Sequence, residues 1–153
     1  MQTLQEFSVD FVVIGGFAGR IHGSPLNTND LDICYSREAG NLERLASALN
    51  EMDARLRGAP EDLPFRIEAE TLRAGDHFTL LTRFGAFDVL GTPAGTTGFD
   101  QLKTTAQEVD LDGLEVFVAS LDDLIKMKLE AGRPQDMYQA EVLGALRDEI
   151  DNS

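Results

Sequence analysis

Tryptophan is absent from this 153-residue chain, cysteine occurs once, histidine twice and lysine only three times. Each scarcity closes a route. A lone cysteine, Cys34, excludes an internal disulfide and suits a reducing compartment, so the chain is expected in the cytoplasm. Neither His22 nor His77 has a second His or Cys at the spacing of a zinc site. Lysine and arginine total 13 against 27 acidic residues, for a formal charge of −14. That balance opposes an extended nucleic-acid footprint, which needs clustered basic side chains, but it does not oppose a small nucleotide carried with magnesium. No apolar run of about 18 residues and no charged-then-apolar leader occurs, so neither a membrane span nor a signal peptide is expected. Repeats, low-complexity segments and long linkers are missing too, and residues 1–153 read as a single domain large enough to bury a core.

What is present is concentrated between Val9 and Tyr35. The apolar run Val9–Ile14 has strand length and β-branched content. Gly15 and Gly16 follow, then a short helix-like segment to His22, a turn rich in Gly, Ser, Pro and Asn, and a second strand over Thr28–Tyr35. That strand carries Asp30 and Asp32. Side chains two apart on a strand share a face, and two like charges so placed raise each other's pKa unless a cation lies between them. A paired Asp-x-Asp beside a Gly-Gly strand-to-helix turn suits a divalent metal and a phosphate.

Downstream, strands and helices alternate. A short leading helix is expected within Met1–Phe7, and a helix over Glu38–Met52, capped by Ser36, carries Leu42, Leu45, Ala46, Leu49 and Met52 at helical spacing. Arg57–Leu63 reads as a loop and Phe65–Ala69 as a strand. Phe78–Thr82 and Ala86–Leu90 read as a hairpin, Phe99–Lys103 as a short helix, and Thr105–Val109 with Leu114–Val118 as strands about the turn Asp110–Gly113. Asp88 stands alone between Phe87 and Val89, a poor strand residue unless it lies on an exposed polar face or serves a site.

Two helices close the chain, over Leu121–Ala131 and from Pro134 to about Glu149. Ser120 with Asp123 forms a capping-box-like start. Leu121, Leu124, Ile125 and Leu129 make one face, Lys128 falls near its middle, and Lys126 points away. A lysine in an apolar stripe needs water or an anion for its ammonium. Lys128 and Arg133 are therefore candidates for gripping a phosphate; the alternatives are a snorkelling lysine and an arginine neutralising a helix end. His22 fits a structural role, His77 a solvated one, and Cys34 the core. Asn27 and Asn29 fit turn formation before substrate binding.

The run GGFAGRIHGSPLNTNDLDI resembles the signature of the nucleotidyltransferase fold, the DNA polymerase β-like superfamily. Lys128, Arg133 and Asp136 resemble the K-x-x-x-x-R-x-x-D pattern on late helices of its toxin-type and abortive-infection-type members. The resemblance implies an α/β (α+β) fold, a mixed sheet flanked by helices with two helices at the C-terminal end. It implies transfer of a nucleoside monophosphate from a nucleoside triphosphate such as ATP to an acceptor hydroxyl: RNA, protein or small molecule. Asp30, Asp32 and Asp88 would hold two Mg2+ (or Mn2+) ions, with Asp88 as general base. Backbone amides of Gly15 and Gly16, with Lys128 and Arg133, would bind the phosphates. Many members have Ser where this chain has Gly16. The resemblance also implies a toxin–antitoxin setting, with an antitoxin-like or degenerate member acting by partner binding as the alternative; the short chain, with little room for an acceptor-binding domain, favours that alternative or a homodimer that builds the pocket between subunits. The site residues are expected to converge on neighbouring strands.

Overall fold

A computed structural model describes residues 1–60 and 66–153. Its described residues form one seven-stranded mixed sheet with seven helices. The strands are β1 (Phe11–Ile14), β2 (Leu31–Tyr35), β3 (Arg55–Leu56), β4 (His77–Thr82), β5 (Gly85–Leu90), β6 (Gln107–Leu111) and β7 (Leu114–Val118). The helices are α1 (Gln2–Glu6), α2 (Gly15–His22), α3 (Ala39–Glu51), α4 (Ala69–Ala74), α5 (Phe99–Thr105), α6 (Leu121–Ala131) and α7 (Pro134–Asp151). The strand order is β3-β4-β5-β2-β1-β7-β6. β1 runs antiparallel to β2 and parallel to β7, and β2 runs parallel to β5. None of the described helices is long and apolar enough to cross a membrane.

Register assigns two unlike faces to the middle of the sheet. Ile14 pairs with Asp32, and Asp32 with Asp88, so these three side chains share one face. Val13, Ile33 and Val89 pair along the same rungs one residue away, so they occupy the other face, and all three are fully buried. They join a core that includes Leu42, Leu45 and Leu49 of α3, each essentially inaccessible. Fully burying a leucine contributes roughly 1.5–3 kcal/mol, so this stripe is the main hold of α3. Asn41 locks its start: the side-chain amide donates to Asp10 O at 3.1 Å and Ser36 O at 2.8 Å and accepts from Asp10 N at 2.7 Å.

Several expected elements move. Glu38, not Ser36, is the N-cap of α3; Ser36 Oγ instead accepts from Glu38 N at 3.3 Å, ahead of the helix. Of the strand expected over Phe65–Ala69, Phe65 lies outside the described residues, residues 66–68 carry no regular structure, and Ala69 opens α4. β3 is only two residues long and is defined by its partners Leu81 and Leu80, not by its own pattern. The turn between β6 and β7 tightens to Asp112 and Gly113, both at positive φ (54° and 87°), the backbone that a two-residue hairpin with right-handed twist requires.

Candidate active site

Three elements meet at the end of β1. Its last residue, Ile14, leads into α2 with no side chain capping the helix, so the first amides of α2 lack intrahelical acceptors. Gly15 has φ +71°, and a Cβ there would stand 2.2 Å from Asp32 Oδ2. Only glycine lets the helix start this close to the carboxylate. A Cβ on Gly16 would meet Thr28 Cβ at 2.9 Å and its Oγ1 at 3.0 Å. The place that a serine would fill is thus already taken by Thr28, which lines the same cavity.

Thr28 also explains why β2 is shorter than the Thr28–Tyr35 strand expected. Its hydroxyl donates to Asp30 O at 3.2 Å and accepts from Asp30 N at 3.4 Å, which turns the chain locally and withholds Asp30 from the ladder. Asp30 therefore precedes β2 by one residue instead of riding on it, yet it lines one cavity of about 160 Å³ with Gly15, Gly16, Thr28, Asp32 and Lys128. A second cavity, about 380 Å³, shares Gly15 and Lys128 and extends between Leu90 and His77 on the sheet and Met127 on α6.

Asp32 is the focus. Its Oδ1 is buried with no hydrogen-bond partner, which is costly for a carboxylate oxygen. Burial, then the charges of Asp88 and Asp30, push its pKa up to about 6 against the opposing pull of Lys128 and Arg57. Asp88 is also shifted upward, by burial first, with Arg57 opposing. The charge of Asp30 thus bears on both Asp32 and Asp88. Among the described residues, however, no group of three or more His, Cys, Asp or Glu side chains is gathered closely enough to hold a metal ion. Asp88 instead has its Oδ1 accepting from Arg57 Nη2 at 3.0 Å. An orphaned buried oxygen beside two like charges fits a divalent cation at Asp32 and Asp30. Asp88 lies beside Asp32 on β5, with Oδ1 held by Arg57.

The cationic side is organised by Asp136, 1% exposed on α7. Its Oδ2 accepts from Arg133 Nε at 2.6 Å and from Arg133 N at 3.2 Å, while Oδ1 accepts from Arg133 Nη2 at 3.2 Å and lies 3.6 Å from Lys128 Nζ. Hydrogen bonding from Arg133 holds the Asp136 carboxyl below the usual range. Lys128 lines both cavities; Arg133 lines only the larger one, with its guanidinium committed to Asp136. Ser120 caps α6 by accepting from Asp123 N at 3.1 Å. The inward face of α6 is Leu121, Leu124, Ile125, Met127 and Lys128, whereas Leu129, expected on that face, is 51% exposed. The stripe centres on Leu124 and Lys128, which leaves Leu129 beyond its edge.

His22 has the structural role expected: its Nε2 lies 2.7 Å from Ala119 O and ties α2 to the end of β7. Cys34 is fully buried, with its thiol pushed up to about 12 by burial. His77 is exposed at the first position of β4. Arg57 and Thr28 are the site neighbours that the sequence pattern does not bring out. Arg57 directly follows a two-residue strand, and only the pairing of β3 with β4 brings it to Asp88.

No family model matches this chain, and no curated protein matches it. Solved structures do. The lincosamide antibiotic adenylyltransferase LnuA, with lincomycin bound, is 13% identical over 95% of this chain and 92% of that one, with a TM-score of 0.58. ANT(2'')-Ia in complex with adenylyl-2''-tobramycin is 13% identical over 97% and 93%, with a TM-score of 0.54. An antigenic nucleotidyltransferase-like protein from Paracoccidioides brasiliensis is 16% identical over 95% and 70%, with a TM-score of 0.56. The chain has the nucleotidyltransferase fold, a mixed α/β sheet closed by two C-terminal helices.

Proposed function

We propose that this protein is a cytoplasmic nucleotidyltransferase that moves a nucleoside monophosphate from a nucleoside triphosphate to an acceptor hydroxyl. One observation carries the reading: Asp32, with an unpartnered buried oxygen, faces the uncapped start of α2 and Lys128 across a single small cavity. The shared fold with two antibiotic-modifying enzymes supports it. Magnesium or manganese held by Asp30 and Asp32, joined by Asp88, would neutralise phosphate charge and lower the pKa of the acceptor hydroxyl.

The chain's own residues supply the rest. Amides of Gly15 and Gly16 at the helix start receive the β- and γ-phosphates, and Lys128 offsets their charge as pyrophosphate leaves. The acceptor oxygen forms its bond to the α-phosphorus as the bond to the pyrophosphate oxygen breaks. Asp88 takes the acceptor's proton. Asp136 holds Lys128 within reach of both cavities and fixes Arg133 at the rim of the larger one.

The test is incubation with each labelled triphosphate, magnesium and total cell extract, followed by separation into RNA, protein and small molecules. Label in one fraction, absent with Asp32→Asn, is the expected result. No label from any triphosphate, together with no triphosphate binding by calorimetry, overturns the proposal. A second reading, partner binding in a toxin–antitoxin pair, is favoured by Leu129, Met137 and Tyr138, exposed at 51%, 44% and 59% around the α6–α7 turn. Under that reading the chain stays unlabelled and co-purifies with one partner through this patch.

A further inference from the structure

The parallel register of β2 and β5 places Asp88 directly beside Asp32, yet the carboxylate of Asp88 is engaged elsewhere. Arg57 follows β3, and its backbone N–H donates to Thr79 O at 3.0 Å. Its Nη2 donates to Leu80 O at 3.1 Å and to Asp88 Oδ1 at 3.0 Å. Arg57 is thus moored to β4 at two points, one through its backbone and one through its guanidinium, and β4 is the strand paired with β5 on the side away from Asp32. Asp32, meanwhile, keeps a buried oxygen without a partner. One carboxylate of the trio has a resident cation and its neighbour has none.

We infer that Arg57 is a built-in competitor for the metal: it holds Oδ1 of Asp88 in the metal-free protein and competes for that carboxylate with the ion that Asp88 would share with Asp30 and Asp32. This rests on the metal-assisted reading above and adds a positioning residue to it. The pair suits exchange, because Arg57 is 36% exposed and Asp88 19%. A half-exposed ion pair is weak, so a divalent ion outcompetes it, while a freed guanidinium keeps Leu80 O and water as partners. Arg57 then sets the metal concentration at which the site assembles, and keeps three carboxylates from repelling one another when metal is scarce.

The experiment is calorimetric titration of Mn2+ into the parent, Arg57→Gln, Asp88→Asn and the double variant, with melting temperatures before and after saturation. If Arg57 competes, Arg57→Gln binds Mn2+ about three- to tenfold more tightly, melts lower without metal, and gains more on metal addition than the parent. In the Asp88→Asn background the same change moves affinity by less than about twofold, because the competition is gone. Equal tightening in both backgrounds means that Arg57 acts only through its long-range charge, and the inference fails. Unchanged or weaker binding in Arg57→Gln means that Arg57 is a surface pair or a metal-site support, and it fails again. No Mn2+ binding by the parent overturns the metal-assisted reading itself.

Discussion

Asp32 and Asp136 are both aspartates set into the walls of adjoining cavities, and they differ in almost every physical respect. Asp136 is the more buried, at 1% exposure, and both of its oxygens are partnered. Its carboxyl is held below the usual range by Arg133. Asp32 has an oxygen with no partner, and burial with two neighbouring carboxylates pushes it up to about 6. Burial alone therefore does not decide what a carboxylate does. The one supplied with partners organises the cations around it, and the one left short of a partner is where the proposed reading puts a cation.

The sharpest way to disturb the Asp32 side is Gly15→Ala. The new methyl would lie 2.2 Å from Asp32 Oδ2, on a backbone at φ +71° that alanine avoids. Overpacking and left-handed strain together should cost about 2–4 kcal/mol, read as a fall in the denaturant midpoint. A loss under about 1 kcal/mol would mean that β2 can yield, and that Asp32 is not pinned against α2.

Asp136→Asn tests the other side. It removes charge from the acceptor of three Arg133 hydrogen bonds and a neighbouring lysine. Hydrogen bonds to charged groups contribute roughly 1.5–3 kcal/mol, and a stability loss of about that size is expected. The lowered pKa of Asp136 gives the pH sign: its contribution is present above the unfolded carboxylate range and is lost as pH falls below that range through the lower folded pKa.

Asp32→Asn should do the opposite. Because the folded pKa is raised from 3.8 to about 6, the favourable contribution exists below 3.8 and is lost as pH rises through 6. Without metal, Asn should therefore stabilise the protein by about 1–2 kcal/mol at pH 7 and flatten the stability profile between those values. Added magnesium should raise the melting temperature of the parent and leave the variant unmoved. A variant that still responds to magnesium would place the ion elsewhere on the acidic surface.

How much of this was readable beforehand follows from which interactions are local. The Gly-Gly turn, the period-two aspartates and the Ser120 cap are written in adjacent residues, and each stands close to where the pattern places it. Asp88 was readable as an unlikely strand residue. Its partner was not, because Arg57 reaches it through β3, whose two residues take their identity from β4. Ser36 failed as a cap because Asn41 ties the chain further along. Asp30 fell off the strand because Thr28 offers its backbone a local alternative to the ladder. Lys128 and Arg133 looked equivalent in sequence, and the buried Asp136 separates them by engaging the Arg133 guanidinium through Nε and Nη2.

The smallest effect on the fold belongs to Lys128→Met, and it is the most informative for the cleft. The side chain is 26% exposed and its ammonium lies 3.6 Å from Asp136, too far for a strong hydrogen bond, while Arg133 already satisfies that carboxylate. Methionine keeps the stem's packing on the inner face of α6. Stability should therefore change by less than about 1 kcal/mol, as for other weak ion pairs. If Lys128 meets the triphosphate in the cavity that it shares with Gly15 and Gly16, affinity should fall by roughly 1.5–3 kcal/mol, about one to two powers of ten in Kd. Lys126→Met, on the exposed side of the same helix, is the control and should change neither quantity. Calorimetry of triphosphate with magnesium, run on the parent and both variants, separates the cases. Equal Kd in all three would leave the phosphates to the α2 amides alone, and Asp136 would then be holding a cation that the substrate never touches.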